Sequence, residues 1–106
     1  LGDVYKRQLV DTKQLRYLVR HPKWVWVDGV LCCPYFKTSQ RVRMVSVVGD
    51  CWVPIFQDPL TLAYLHHLYA INNGSVRQNG EIWVSSHGVE GKDLAQVLVE
   101  SFLKLS

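Results

Sequence analysis

Three features that would assign a protein to a class at once are missing from this sequence of 106 residues. No apolar run approaches the ~18 residues that a membrane-spanning helix needs. No glycine-rich loop precedes a helix, and the acidic residues are dispersed instead of paired, so neither a nucleotide site nor a pair of catalytic carboxylates is indicated. We therefore predict no membrane contact, no cofactor and no catalytic residues.

Cysteine is scarce, and its spacing suits neither a disulfide nor a metal. The sequence has three cysteines, Cys32, Cys33 and Cys51, and no C-x-x-C pair. Adjacent residues point apart on a helix or a strand, which also applies to His66 and His67, so we predict no metal site. An odd number of cysteines at such spacings is typical of free thiols in a reducing compartment, which predicts a cytoplasmic location.

An initiator methionine is also missing, because the chain begins LGDVYKRQ. Written as plausible codons, this stretch resembles the end of a transposase-type sequencing adapter read in one frame. Segments of such origin are set aside in reasoning about a fold. We expect residues 1–8 to be an adapter-derived artefact and residues 9–106 to form a single α+β domain, which we treat as a candidate N-terminally truncated fragment.

The composition is that of a globular domain, with 48% apolar and 20% charged residues and a net charge of +3. The charge is unevenly distributed along the chain. Residues 11–43 contain seven basic and two acidic side chains, whereas residues 44–106 contain three basic and six acidic ones. A basic half can bind phosphate or an acidic protein, although most such segments are solvated surface.

Three segments have the apolar spacing of helices. The first has Asp11 or Thr12 as its N-cap and stops before Pro22, which disfavours helical geometry in the residue ahead of it. The second has Asp58 as its N-cap and ends at Asn73-Gly74, and the third is capped by Asp93. We expect the buried stripes to be Leu15, Leu18 and Val19 in the first helix; Leu60, Tyr64, Leu68 and Ile71 in the second, with Ala63 and His67 beside them; and Leu94, Val97, Leu98, Ser101, Phe102 and Leu105 in the third.

Short β-rich runs flank three pairs of turn residues. Asp28-Gly29, Gly49-Asp50 and Asn79-Gly80 each predict a two-residue hairpin turn. Residues 24–27 are apolar on both strand faces, so their strand is expected to be covered on both sides or to lie centrally in the sheet. Pro54 cannot donate to a ladder, so either its strand lies at a sheet edge or its N–H position faces away from a neighbouring strand. These elements predict the α+β class, with a mainly antiparallel sheet built from hairpins and about three helices packed on it.

The stretch GDCWVPIFQDPLTLAYL combines a glycine turn, a strand with an aromatic-Val-Pro-hydrophobic-Phe run, and the start of a helix. It resembles the N-terminal domain of the SseB-type bacterial proteins, and related small bacterial domains of unknown function share the pattern. Trp52, Pro54 and Phe56 stand at the motif positions, whereas the segment 30–40 departs from the family. The resemblance implies a non-enzymatic cytoplasmic domain with a protein-interaction role, and it brings no catalytic residues.

The leading hypothesis for function is accordingly a small bacterial or phage domain that binds another protein. Four aromatic side chains form its candidate binding face: Trp24, Trp26, Trp52 and Phe56. An exposed cluster of these rings marks a docking surface, whereas buried rings belong to the core, and the sequence leaves both readings open.

Two other functions remain open. A nucleic-acid-binding domain would use the basic, aromatic-rich half, residues 13–43, with Lys37, Arg41 and Arg43 as candidate contacts. An enzyme would draw on the sequence SSHG at residues 85–88, which offers hydroxyls and an imidazole. That stretch has no nucleophile-elbow motif, so we expect a polar loop there.

Overall fold

A computed structural model of the chain describes residues 11–34, 40–41 and 52–106. Within these residues the chain forms three helices and two three-stranded antiparallel sheets. The helices are α1 (Thr12–Arg20), α2 (Pro59–Ile71) and α3 (Leu94–Phe102). The strands are β1 (Leu31–Pro34), β2 (Gln40–Arg41), β3 (Trp52–Pro54), β4 (Val76–Asn79), β5 (Ile82–Ser85) and β6 (Glu90–Gly91). The sheets have the orders β2-β1-β3 and β4-β5-β6, and the predicted α+β class is confirmed.

All three helices begin at the aspartates that the sequence predicts. The side chains of Asp11, Asp58 and Asp93 accept hydrogen bonds from backbone N–H groups two or three residues further on. Each bond satisfies one of the donors that a helix start leaves without a partner. Pro54 lies in β3, which is an edge strand among the described strands, as predicted.

The prediction of which residues of α2 are buried is largely wrong. Leu68 is buried, but Leu60 and Ile71 are exposed. The buried residues are Thr61, Leu65, Leu68 and Tyr69. α2 is apolar on almost every side, so two sets of its residues have the spacing of a buried helical stripe. Periodicity alone does not indicate which set faces the core.

The turn at Asp28-Gly29 is present, but the hairpin predicted around it is wrong. Gly29 has a φ of +98°, yet residues 24–27 form no strand. β1 is paired with β2 on one side and with β3 on the other, so it has no edge left for these residues. The hairpin predicted at Gly49-Asp50 lies outside the described residues.

The third hairpin forms with its loop one residue further on than predicted. Asn79 pairs with Ile82, so the two loop residues are Gly80 and Glu81. Gly80 has a φ of +64°, whereas Glu81 is not among the residues with positive φ. A turn with glycine first, and positive φ at that position alone, matches the twist of the strands and explains the shift.

The main core lies between the three helices and β3. It contains Leu15 and Leu18 of α1, Leu65 and Tyr69 of α2, and Phe102 of α3, among others. The stripe predicted for α3 is confirmed for its central members, and the buried Ser101 hydroxyl donates to the Val97 carbonyl over 2.6 Å. Within the described residues, no helix has both the length and the apolarity to cross a membrane.

Candidate protein-docking surface

The four aromatic residues proposed as a binding face do not assemble on the surface. Trp24 and Phe56 are only 7% and 2% exposed, because both lie in the main core. Trp26 and Trp52 are half-buried and pack against a small second cluster formed by Val30 and Cys32. Trp24 and Phe56 are therefore core residues, and their rings are not available to a partner.

Trp24 is the centre of an aromatic cluster. Trp26, Phe56, Tyr64 and Phe102 all meet its indole edge to face, with ring centroids 5.3 to 6.4 Å away. Its buried Nε1–H has no hydrogen-bond partner among the residues that the structure describes.

The residues proposed to contact nucleic acid are mostly outside the described part of the chain. Lys37 and Arg43 fall in undescribed segments, and Arg41 is described only as the backbone of β2, paired with Leu31. Nucleic-acid binding stays a prediction from the sequence.

The SSHG sequence forms the turn after β5 and is fastened to α2. The Tyr69 hydroxyl lies 2.5 Å from His87 Nδ1 and 3.2 Å from Ser86 Oγ, and Ser86 Oγ accepts the Ser75 N–H over 3.0 Å. In the tautomer with its proton on Nε2, His87 accepts from Tyr69. Ser85 Oγ accepts the N–H groups of His87 and Val89. These contacts close a turn and couple it to α2.

A metal centre has no counterpart in the described part of the chain. No group of three or more His, Cys, Asp or Glu side chains there could hold an ion. Cys32 is fully buried in β1, whereas His66 and His67 are exposed on α2.

The side of α2 that faces away from the core is unusually apolar for a solvent-facing helix. Leu60 and Ile71 are 68% and 61% exposed, and Ala63 and His67 between them are exposed as well. Tyr64 lies at the border of this side and is half-buried. We call Leu60, Ala63, Tyr64, His67 and Ile71, together with the neighbouring Val25, the α2 outer face.

Charge is missing from the whole of α2. Its 13 residues, PLTLAYLHHLYAI, contain no Asp, Glu, Lys or Arg. By contrast, the nine residues of α1 include Lys13, Arg16 and Arg20. The centres of protein interfaces are depleted of charged residues compared with the rest of a protein surface. The outer side of α2 therefore has the composition of an interface, whereas α1 has charged residues as a helix with one solvated side does.

Tyr64 joins the α2 outer face to the core. Its ring packs edge to face on Trp24 at 5.7 Å, and its hydroxyl donates to the Val25 carbonyl over 2.5 Å. Burial raises the pKa of Tyr64 above its usual value. The same hydrogen bond holds residues 24–27 beside α2, and it places Val25, whose side chain is 54% exposed, next to the helix.

The sequence pattern identified the α2 residues of this outer face as an apolar stripe but assigned them to the core. The signal that distinguishes the two stripes is chemical: the buried one includes Thr61 and Tyr69, whose hydroxyls both have partners inside the domain or at its border. α2 therefore has two apolar stripes, and only the one with Thr61 and Tyr69 packs in the core of this domain.

Comparison with known proteins gives this chain no relative. No family model, no curated protein and no solved structure matches it. The resemblance to the SseB-type domain therefore stays a prediction from the sequence.

Proposed function

We propose that this chain is a non-enzymatic protein-interaction domain that docks an amphipathic helix of another protein on the α2 outer face. The observation that carries the proposal is the exposure of Leu60 and Ile71 on a helix without a single charged residue. A cytoplasmic location is part of the proposal, and the odd number of cysteines supports it.

A helical partner fits the spacing of the exposed residues. Leu60, Tyr64, His67 and Ile71 follow one another at intervals of four, three and four residues. This alternation is that of the a and d positions in a heptad, the spacing with which one helix packs along another. The small side chain of Ala63 beside this seam lets a second backbone approach closely.

The chemistry of the partner follows from charge. Because α2 offers no ion-pair partner, a charged residue on the contacting stripe of the other helix would lose its hydration without compensation. The partner stripe is therefore expected to be apolar and uncharged, with charged residues only at its margins. The α2 helix, at 13 residues, is about 20 Å long, which accommodates about two heptads of the partner.

A second copy of the chain is a less suitable occupant. Two α2 helices packed against each other bury only the contact of two helices of 13 residues. A stable interface buries about 800 Å² on each partner, which a pair of helices of this length does not reach without further elements. A foreign helix can be longer than α2 and also cover Val25.

The proposal is tested with peptides of known design. A displayed library of amphipathic helices of about three heptads, apolar at the a and d positions, is selected on the immobilised chain. Dissociation constants of the selected peptides are then measured by fluorescence anisotropy. The variants Leu60→Glu and Ile71→Lys place a charge on the seam, and each charge has the sign that the nearby helix end tolerates. His66→Glu charges the same helix away from the seam and is the matched control.

We expect Leu60→Glu and Ile71→Lys to weaken binding at least about tenfold, which is about 1.4 kcal/mol, and His66→Glu to leave it within about twofold. Equal affinities for all three variants, or a library that yields no binding peptide, contradict the proposal. Sedimentation of the chain alone checks the other occupant: a dimer that Leu60→Glu disperses would assign the face to a second copy.

A further inference from the structure

Two Asn-Gly sequences lie close together in this chain, Asn73-Gly74 after α2 and Asn79-Gly80 at the β4–β5 hairpin. Asparagine followed by glycine is chemically reactive, because glycine has no side chain to hinder attack by its own backbone nitrogen on the neighbouring amide. Both asparagines are exposed, yet the two glycine nitrogens have different surroundings. The chain therefore contains a reactive site and an internal control for it.

The reaction needs only water. The backbone nitrogen of the glycine attacks the asparagine Cγ and closes a five-membered succinimide, while its proton leaves with the side-chain nitrogen as ammonia. Water then adds to one of the two succinimide carbonyls and opens the ring. The product is aspartate or isoaspartate, and no oxidation or reduction occurs. The glycine N–H must be free to ionise, and the backbone must be free to bring nitrogen and Cγ together.

The Asn73-Gly74 sequence is held against this reaction. The Gly74 N–H donates to the Tyr69 carbonyl over 2.9 Å. Gly74 is buried beneath the Tyr69 ring, so closely that a Cβ on Gly74 would overlap it. Asn73 is fixed at a φ of +69°. Ring closure at Asn73 therefore requires this helix end to open first.

The Asn79-Gly80 sequence has none of these restraints. Asn79 is the last residue of β4, and Gly80 is the first residue of the exposed loop, with a φ of +64°. Nothing in the described residues lies within 4 Å of the position of a Cβ on Gly80. The Gly80 N–H makes no hydrogen bond within the described part of the chain, unlike that of Gly74. Fraying of the short hairpin end is enough to free the backbone.

We propose that Asn79 is a site of spontaneous deamidation in the folded chain, and that Asn73 is protected as long as the fold is intact. Conversion to aspartate adds a negative charge next to Glu81 at the hairpin tip. Conversion to isoaspartate lengthens the main chain by one methylene within the Asn79–Ile82 pair, which closes the hairpin. β5 lies against α3, so this change loosens the strand that supports that helix.

Peptide mapping distinguishes the two sites cleanly. Trypsin places Asn79 in the peptide 78–92 and Asn73 in the peptide 44–77. The full chain is incubated in mildly alkaline buffer, once folded and once in denaturant, and samples taken over time are digested. Mass spectrometry follows conversion of each amide to an acid, and an isoaspartate-specific methyltransferase reports the rearranged product. Asn79→Gln removes the reactive residue and confirms the assignment.

In the folded chain we expect Asn79 to convert at least about tenfold faster than Asn73. A tenfold difference requires only about 1.4 kcal/mol of additional free energy to open the helix end at Asn73. In denaturant we expect similar rates at both sites. Equal rates in the folded chain overturn the proposal. So does a folded chain in which Asn79 is unchanged over the time that both sites need to convert in denaturant.

Discussion

The Thr61 hydroxyl donates to Asp58 Oδ2 over 2.7 Å at the start of α2, where both of these side chains are buried. The same hydroxyl oxygen accepts the backbone N–H of Leu31 over 2.8 Å, and the Thr61 N–H bonds to the Asp58 carboxylate. One side chain therefore connects the cap of α2 to the first residue of β1. This contact fixes which side of α2 faces inward and, as a consequence, which side faces solvent.

Replacing Thr61 with valine keeps the shape of the side chain but removes its hydroxyl. The buried Leu31 N–H and one Asp58 oxygen then lose a partner, which we expect to cost about 2–3 kcal/mol of unfolding free energy. Thr61→Ser is the control, because it keeps the hydroxyl and loses only a methyl group, at about 1 kcal/mol. Urea unfolding measures both variants, and equal stability of the two would show that the bonds contribute nothing.

Gly74 is required by the ring that covers it. In Gly74→Ala the new methyl group overlaps the Tyr69 ring, which is fully buried and hydrogen-bonded to His87, so neither side can move freely. We expect a loss of about 1–3 kcal/mol, as in other overpacked sites. Asn73→Gly changes the neighbouring residue, which already has positive φ, and should be neutral or slightly stabilising. Thermal unfolding of both variants checks the contrast.

Tyr64 makes stability depend on alkaline pH. Its folded-state pKa is raised by burial above the usual value of 10.0, so the folded chain holds this proton more tightly than the unfolded chain. The contribution is complete below the unfolded value and is lost as pH rises through the folded one. Ionised Tyr64 also cannot donate to the Val25 carbonyl.

The difference between wild type and Tyr64→Phe isolates this group from the other tyrosines. We expect the wild type to lose unfolding free energy relative to Tyr64→Phe as pH rises above about 10. Tyr17→Phe, at a tyrosine 54% exposed on α1, serves as control and should follow the wild type. Parallel pH curves for wild type and Tyr64→Phe would refute a role for burial at Tyr64.

The two most exposed helical residues of the α2 outer face, Leu60 and Ile71, should be dispensable for folding. Leu60 and Ile71 contribute little buried area, so Leu60→Glu and Ile71→Lys are expected to change the unfolding free energy by less than about 0.5 kcal/mol. Leu65→Ala on the opposite side of α2 removes a fully buried side chain and should cost about 2–5 kcal/mol. Denaturant titrations of the three variants measure these free energies of unfolding. A large loss of stability in Leu60→Glu would mean that the Leu60 side chain packs inside the fold.

Local chemistry was predictable from this sequence, and competition between distant segments was not. The caps Asp11, Asp58 and Asp93 were recognisable because an aspartate bonds to N–H groups within its own turn. The absence of a strand at residues 24–27 could not be predicted, because β1 obtains both of its partners from further along the chain.

The candidate docking surface also could not be recognised from local sequence patterns alone. The residues of the exposed stripe were identified as apolar and regularly spaced, but a stripe of this kind has the same appearance in a core and at an interface. The contacts of Thr61 and Tyr69 assign the other stripe to the core, and those contacts involve residues far away in sequence.

NMR of the methyl groups, recorded while a selected heptad peptide is added to the full chain, locates the bound helix. The proposal predicts that the resonances of Leu60, Ala63, Ile71 and Val25 shift together and saturate. The buried Leu15 and Leu98 should stay close to their starting positions. Shifts centred on any other surface, with the α2 methyl groups unchanged at saturation, would contradict docking on the α2 outer face.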